Sequence, residues 1–223
     1  MDKAKLYDYL KRYIMLAIGL SMIALAVSII TKTDFGSSPV QSLAFVFSKK
    51  FSNYVTFGTC SFLWNCILIV IQVILLKRDF KPFQLLQLPL SLFFGTMVDL
   101  TGLLADPFFY DGIGIPLRIG YLAIGLVILS FGIYITVKAN VLMNSPEATT
   151  LAVSQKLNLS YGKCKMICDG TTVLGAIAFS FVFFGKFRTD IIGVATICTV
   201  VIPSFFIDLI AKIDKKLTKK NIA

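Results

Sequence analysis

The sequence predicts an all-α membrane protein with six transmembrane helices. They form two inverted three-helix repeats, each with a short re-entrant or interfacial helix. Three observations predict it. The 223-residue chain is 57% hydrophobic with a mean hydropathy of +0.81, more apolar surface than a soluble domain hides from water. Six apolar runs reach the roughly 20 residues that a helix needs to cross a hydrocarbon core. The sequence also matches itself at a displacement of about 106 residues.

The six runs cover about 13–31, 55–76, 84–104, 118–137, 166–184 and 190–210. The first follows a basic N-terminus. Its apolar stretch is too long for a signal-peptide core and no small-residue cleavage site follows, so a retained helix is expected. Lysines and arginines orient the set. With the N-terminus inside, the cytoplasmic face collects Lys3, Lys5, Lys11, Arg12, Lys77, Arg78 and Lys81 from the first half. From the second half it collects Lys138, Lys156, Lys163, Lys165, Lys212, Lys215, Lys216, Lys219 and Lys220. Only Lys32, Lys49, Lys50, Arg118, Lys186 and Arg188 fall outside. The loop 105–117 holds Asp106 and Asp111 and no base. Both termini are therefore expected in the cytoplasm, and the net charge of +10 reads as attraction to anionic headgroups, with no nucleic-acid partner.

One membrane domain covers residues 1–223, with repeat 1 at about 12–104, repeat 2 at about 118–210 and a basic tail at 211–223. LAIGL at 16–20 meets LAIGL at 122–126, Lys32 meets Lys138, and Ser38-Pro39 meets Ser145-Pro146. FGTC at 57–60 meets YGKC at 161–164, which sets Asn65 opposite Asp169, and Asp99-Leu100 meets Asp208-Leu209. Three crossings is an odd number, so the second copy enters the membrane inverted, an arrangement that recurs in transporters with the solute site at the seam.

Each Ser-Pro pair reads as a helix start, serine as N-cap and proline at the first helical position. The helices so opened, about 39–50 and 146–157, are roughly 18 Å long and too short to span. Two readings stand side by side. As re-entrant half-helices, they would aim free N–H groups and a positive dipole end at a solute. As surface helices, they would lie flat, with Val40, Leu43, Ala44, Phe47 and Phe51 forming one apolar face. Glu147 in the first turn of the second helix suits a cation, proton or amine; a zwitterion would use Ser38 at one end and Glu147 at the other.

Polar groups inside spans mark bundle interiors or watery paths. Asp169 is the clearest, either functional or paired with Lys163 or Lys165, and Asn65 is its partner by repeat. The candidate solute-binding residues are Ser38, Gln41, Asn65, Gln87, Asn144, Ser145, Glu147 and Asp169. Asp99 and Asp208 end matching helices and are expected in interfacial ion pairs, Asp208 with Lys212. Gly95, Gly102, Gly125 and Gly132 read as packing glycines.

The absence of histidine removes imidazole metal sites, histidine proton relays and Ser-His or Cys-His catalysis. The five cysteines form no Cys-x-x-Cys pair and read as small hydrophobes. No catalytic residue, cofactor or metal is expected.

The paired x-Ser-Pro segments, FGT-x-x-FLWN at 57–65 and QLPLSLFFGTMVDL at 87–100 resemble the YczE/YyaS/YitT type of bacterial inner-membrane protein over nearly the whole chain. The resemblance implies a small polytopic protein of the bacterial cytoplasmic membrane and no particular solute. Such proteins more often carry Gly-x-x-Pro-Trp-Asp in the short segment, where this chain has Val40-Gln41 and Glu147-Ala148. The expected function is a secondary-type permease or exporter of a small polar or charged solute, driven by a coupling ion. The alternatives are a solute-binding membrane subunit of a multi-component transporter and a non-transporting regulatory or scaffold protein. A homo-oligomer or a membrane partner docked on the face Ala17, Ser21, Ala24 and Ser28 is compatible with any of these. No Walker A pattern is present, so ATP hydrolysis is not expected.

Overall fold

The computed structural model describes residues 3–110, 113–159 and 161–203. Asp111, Asp208, Lys212 and the basic tail lie outside these residues. The described chain is helical and contains no strand. Its helices are α1 (Lys3–Lys32), α2 (Pro39–Lys50), α3 (Phe57–Leu76), α4 (Gln87–Ala105), α5 (Ile115–Ala139), α6 (Ser145–Leu157) and α7 (Tyr161–Phe184). An eighth, α8, starts at Val194 and is described as far as Pro203. Five of them (α1, α3, α4, α5 and α7) are long and apolar enough to cross a membrane.

The last expected span, 190–210, begins four residues late. Residues 188–193 form a turn, held by the two-pronged pair of Arg188 with Asp190 at 2.9 and 2.5 Å. Close approach explains the turn. A Cβ on Gly193 would lie 2.5 Å from the Phe35 carbonyl, so helix begins only beyond it.

That turn meets the break after α1. Residues 33–38 are not helical, and two backbone bonds tie them to the second half. The Ala195 N–H donates to Phe35 O at 2.8 Å, and the Ser37 N–H donates to Ile191 O at 2.9 Å. The Ser37 hydroxyl donates to the same carbonyl at 3.0 Å. Gly36 carries φ +113°, a conformation open to glycine, and a Cβ there would sit 2.6 Å from the Gly193 nitrogen. Irregular backbone inside a bilayer needs such partners, because lipid supplies none.

α1 packs along α5 at its centre. A Cβ on Gly132 would lie 3.0 Å from Gly19 O, so the two backbones nearly touch. On its other side α1 meets α4. Leu16, Leu20 and Ala24 join Phe94 and Val98 in one buried cluster, and the Ser28 hydroxyl donates to Val98 O at 3.0 Å. Ala24 and Ser28 of the small-residue face are thus already buried inside the chain.

The short helices pack across the halves. α2 runs beside α7 in the same direction. Leu43 lies against Gly175, the Phe47 and Phe179 rings meet tilted with centroids 4.9 Å apart, and the Lys50 ammonium reaches Phe183 O at 3.3 Å. A helix lying flat across α7 would cross it once; α2 follows it for two turns. α6 packs on α3 and α7.

α3 and α4 pack through Gly58 and Gly95. A Cβ on Gly95 would come within 2.6 Å of Gly58 O, and one on Gly58 would strike the Gly95 carbonyl and the Asp99 carboxylate. Gly95→Ala is therefore expected to cost about 1–3 kcal/mol through overpacking, read as a lower thermal midpoint in detergent. Gly120→Ala and Gly170→Ala, where nothing lies within 4 Å, should leave the midpoint unchanged or raise it. Equal effects at all three sites would contradict this packing.

Candidate functional site

The helices enclose two polar regions, one at each end of α3. The first is a cavity of about 440 Å³ between the end of α1, α2, the start of α3 and the end of α4. Five charged side chains line it: Lys32, Asp34, Lys49, Asp99 and Asp106. Four of these are already engaged. Lys32 pairs with Asp106, and Asp34 accepts from Arg118 at 2.6 Å.

Asp99 caps a neighbouring helix. It accepts from the Thr56 hydroxyl at 2.6 Å and the Gly58 N–H at 2.7 Å, which satisfies orphan donors at the start of α3. The expected interfacial ion pair is thus replaced by helix capping, because the Gly58–Gly95 contact brings the α3 N-terminus onto Asp99. Lys49 is exposed, with its ammonium over the Phe45 ring at 5.1 Å. Just outside the cavity, burial works against the charged form of Asp190. The Arg188 hydrogen bonds and charge, with help from Lys49, outweigh it and hold the carboxyl below its ordinary range.

On the side of α2 and α3 the cavity ends at Phe45 and Phe57, whose rings meet edge to face at 5.0 Å. A six-residue link, 51–56, joins α2 to α3, so the two helices run antiparallel from this contact. One turn further from the link stand Gln41 on α2 and Ser61 on α3, and Asn65 follows one turn along. Each is buried, and each keeps a side-chain oxygen with no hydrogen-bond partner among the described residues: Gln41 Oε1, Ser61 Oγ and Asn65 Oδ1. The Trp64 indole N–H and Glu147 Oε2 share that condition.

The second polar region closes the other end. Gln72 and Gln87 exchange amide hydrogen bonds at 3.1 Å in both directions. The Gln72 amide also donates to Ser145 O at 3.2 Å and Thr149 Oγ1 at 3.1 Å. The Ser91 and Ser145 hydroxyls are 3.1 Å apart, and the Thr149 hydroxyl reaches Leu68 O at 3.3 Å. All five polar side chains are buried. Ser61, Asn65, Leu68 and Gln72 fall on one stripe of α3, whose buried face thus runs from the orphaned oxygens into this sealed seam.

The expected site residues divide accordingly. Gln87 and Ser145 meet in the seam. Gln41 and Asn65 lie beyond the aromatic pair. Asp169 accepts from Lys165 at 2.8 Å, one turn away on α7, so it is paired. Glu147 sits on α6 and feels the charges of Lys165 and Asp169. It lies two residues from Thr149, on the opposite face of α6 from α3. Asn144 takes the N-cap position of α6 that was expected of Ser145. Ser38 is the N-cap residue of α2, but its hydroxyl makes no capping bond, and proline at the next position already removes one orphan donor. None of the eight lines the cavity.

Replacing Gln87 by Leu would leave the buried Gln72 amide oxygen without its donor. A loss of about 1–3 kcal/mol is expected, read as a lower thermal midpoint. The double change Gln72→Leu with Gln87→Leu should recover part of it, since it also removes the stranded group. A double variant less stable by the sum of both single effects would show that the two amides act independently.

No curated protein and no solved structure matches this chain. One sequence family does: a family of unknown function, DUF6198, matches residues 10–212. That stretch takes in every described helix core, both short helices and the polar stripe of α3, and the chain belongs to that family.

Proposed function

We propose that the chain is a secondary-type transporter, a permease or exporter that moves a small polar solute by alternating access. It would lie in the bacterial cytoplasmic membrane with both termini inside, as six spans in two inverted halves. The observation that carries this reading is the way the contacts pair when the halves are exchanged. α1 meets its own counterpart α5, α2 on α7 is matched by α6 on α3, and α2 on α3 is matched by α6 on α7. The α1–α4 contact has its match where Ala195 and Cys198 of α8 meet Leu122, Leu126 and Leu129 of α5. Asp34 and Asn140, which follow the two counterpart helices, both adopt left-handed backbone, at φ 60° and 47°.

The course of α2 along α7 favours a re-entrant helix over one lying on the surface. The two ends of the α3 stripe then take opposite roles. The cavity at Lys32, Asp34 and Asp106 is the open, external vestibule, and the Gln72–Gln87–Ser91–Ser145–Thr149 seam is the closed internal gate. Neutral hydrogen bonds are suited to a gate, since each contributes only about 0.5–1.5 kcal/mol net and can be exchanged for another. A coupling ion would drive the cycle.

Counterflow into proteoliposomes holding only this chain tests the reading. Preloaded unlabelled solute should accelerate uptake of the same labelled solute for at least one class among sugars and polyols, amides, amines and organic anions. Correctly inserted protein that gives no counterflow with any class would overturn it.

A further inference from the structure

We infer that the solute is uncharged and carries groups that both donate and accept hydrogen bonds, such as hydroxyls or amides. It would bind beyond the Phe45–Phe57 pair through Gln41, Ser61, Trp64 and Asn65. The inference rests on the transport reading and narrows it.

Two independent observations support it. The first is the chemistry of the orphaned groups. Gln41, Ser61 and Asn65 are only 5%, 0% and 4% exposed, and each holds an oxygen that nothing in the described protein satisfies. Beside them on α3 the buried Trp64 N–H is a donor without an acceptor. An unmet buried polar atom is costly, and several on the packed helices α2 and α3 call for a partner from outside the described chain. The four orphaned atoms on α2 and α3 belong to two amides, a hydroxyl and an indole N–H, so both donors and acceptors are wanted there and no charge is among them; the fifth, Glu147 Oε2, sits on α6, two residues from the Thr149 that faces α3. A solute with a net charge would be stripped of water here with no counter-charge, which a low-dielectric interior penalises heavily.

The second observation is how the charges at the mouth are used. Asp34 is held by Arg118, Asp106 by Lys32, and Asp99 by Thr56 and the Gly58 N–H. No carboxylate of the cavity is left to select a cation. Lys49, the remaining charge, is exposed to solvent at the rim and far weaker for it. The Phe45 and Phe57 rings on the way in suit the C–H faces of a polyol or the flat face of an amide, and neither needs a charge.

Ser61 escapes sequence inspection because a lone hydroxyl between Cys60 and Phe62 reads as an ordinary span residue. It becomes legible one turn before Asn65 and opposite Gln41.

Counterflow with the reconstituted full chain tests this, using labelled mannitol and acetamide against labelled methylammonium and lactate. A neutral solute should exchange, with an apparent affinity unchanged by added salt. Ser61→Ala and Trp64→Phe, each removing a single polar group, should weaken that affinity roughly tenfold, and Gly120→Ala should not. If either variant fails to insert, the ranking of the four solutes by the wild-type chain still decides. Exchange restricted to methylammonium or lactate overturns the inference and leaves the transport reading intact. Exchange of a neutral solute untouched by Ser61→Ala and Trp64→Phe overturns the assigned site. No exchange of any solute overturns the transport reading itself.

Discussion

Buried backbone polar groups must find partners, and the break at residues 33–38, where Thr33, Gly36 and Ser37 are buried, is where this constraint is sharpest. A helix that stops at Lys32 and resumes as a short helix at Pro39 leaves amides and carbonyls without helical partners. The Ala195 N–H and Ile191 O supply the partners, and both belong to the other half of the chain. Gly36 and Gly193 let the two irregular segments approach within backbone contact. The same logic extends to α2, whose apolar surface is covered by α7 through Leu43, Phe45, Phe47 and Phe51. Each half therefore covers part of the other's short helix.

This interlocking decides where polarity can be tolerated. Asp99 caps α3, and Lys32 with Asp106, Asp34 with Arg118 and Lys165 with Asp169 form ion pairs. Along the interior, α3 presents hydroxyl and amide groups. Toward α6 they are satisfied by one another; at Ser61 and Asn65, nearer the start of α3, they are not. In the proposed transporter, the satisfied neutral bonds would hold the gate and the unsatisfied ones would meet the solute. Close glycine contacts between α1 and α5 and between α3 and α4 keep the helices as stiff units around which such a change could occur.

Much of the fold was legible in the sequence. Hydropathy located α1, α3, α4, α5 and α7, and Ser38-Pro39 marked the start of α2 with the bounds 39–50. Sequence could not show which partner each polar group finds. Asp99 looks like an interfacial acid because the α3 N-terminus that it caps lies 41 residues away. Asp169 reads from the sequence either as a functional charge or as paired with Lys163 or Lys165, and the structure selects Lys165, one turn before it. The late start of α8 depends on Gly193 touching Phe35, a contact between the halves that no local pattern announces. Of the candidate site, Gln41, Asn65, Gln87 and Ser145 were visible as isolated polar residues. Their grouping was hidden, although Ser61, Asn65 and Gln72 on one face of α3 already trace it.

The central claim is that α2 dips between the halves and lies along α7. Cross-linking tests it most directly. The five native cysteines, all free among the described residues, are first removed, and Leu43→Cys is combined with Gly175→Cys in native membranes. The account predicts rapid disulfide formation within one chain under mild oxidation, and none when Gly175→Cys is replaced by Gly120→Cys. Failure of the 43–175 pair to close, together with labelling of Leu43→Cys by a membrane-impermeant thiol reagent, would place α2 on the surface and contradict the account.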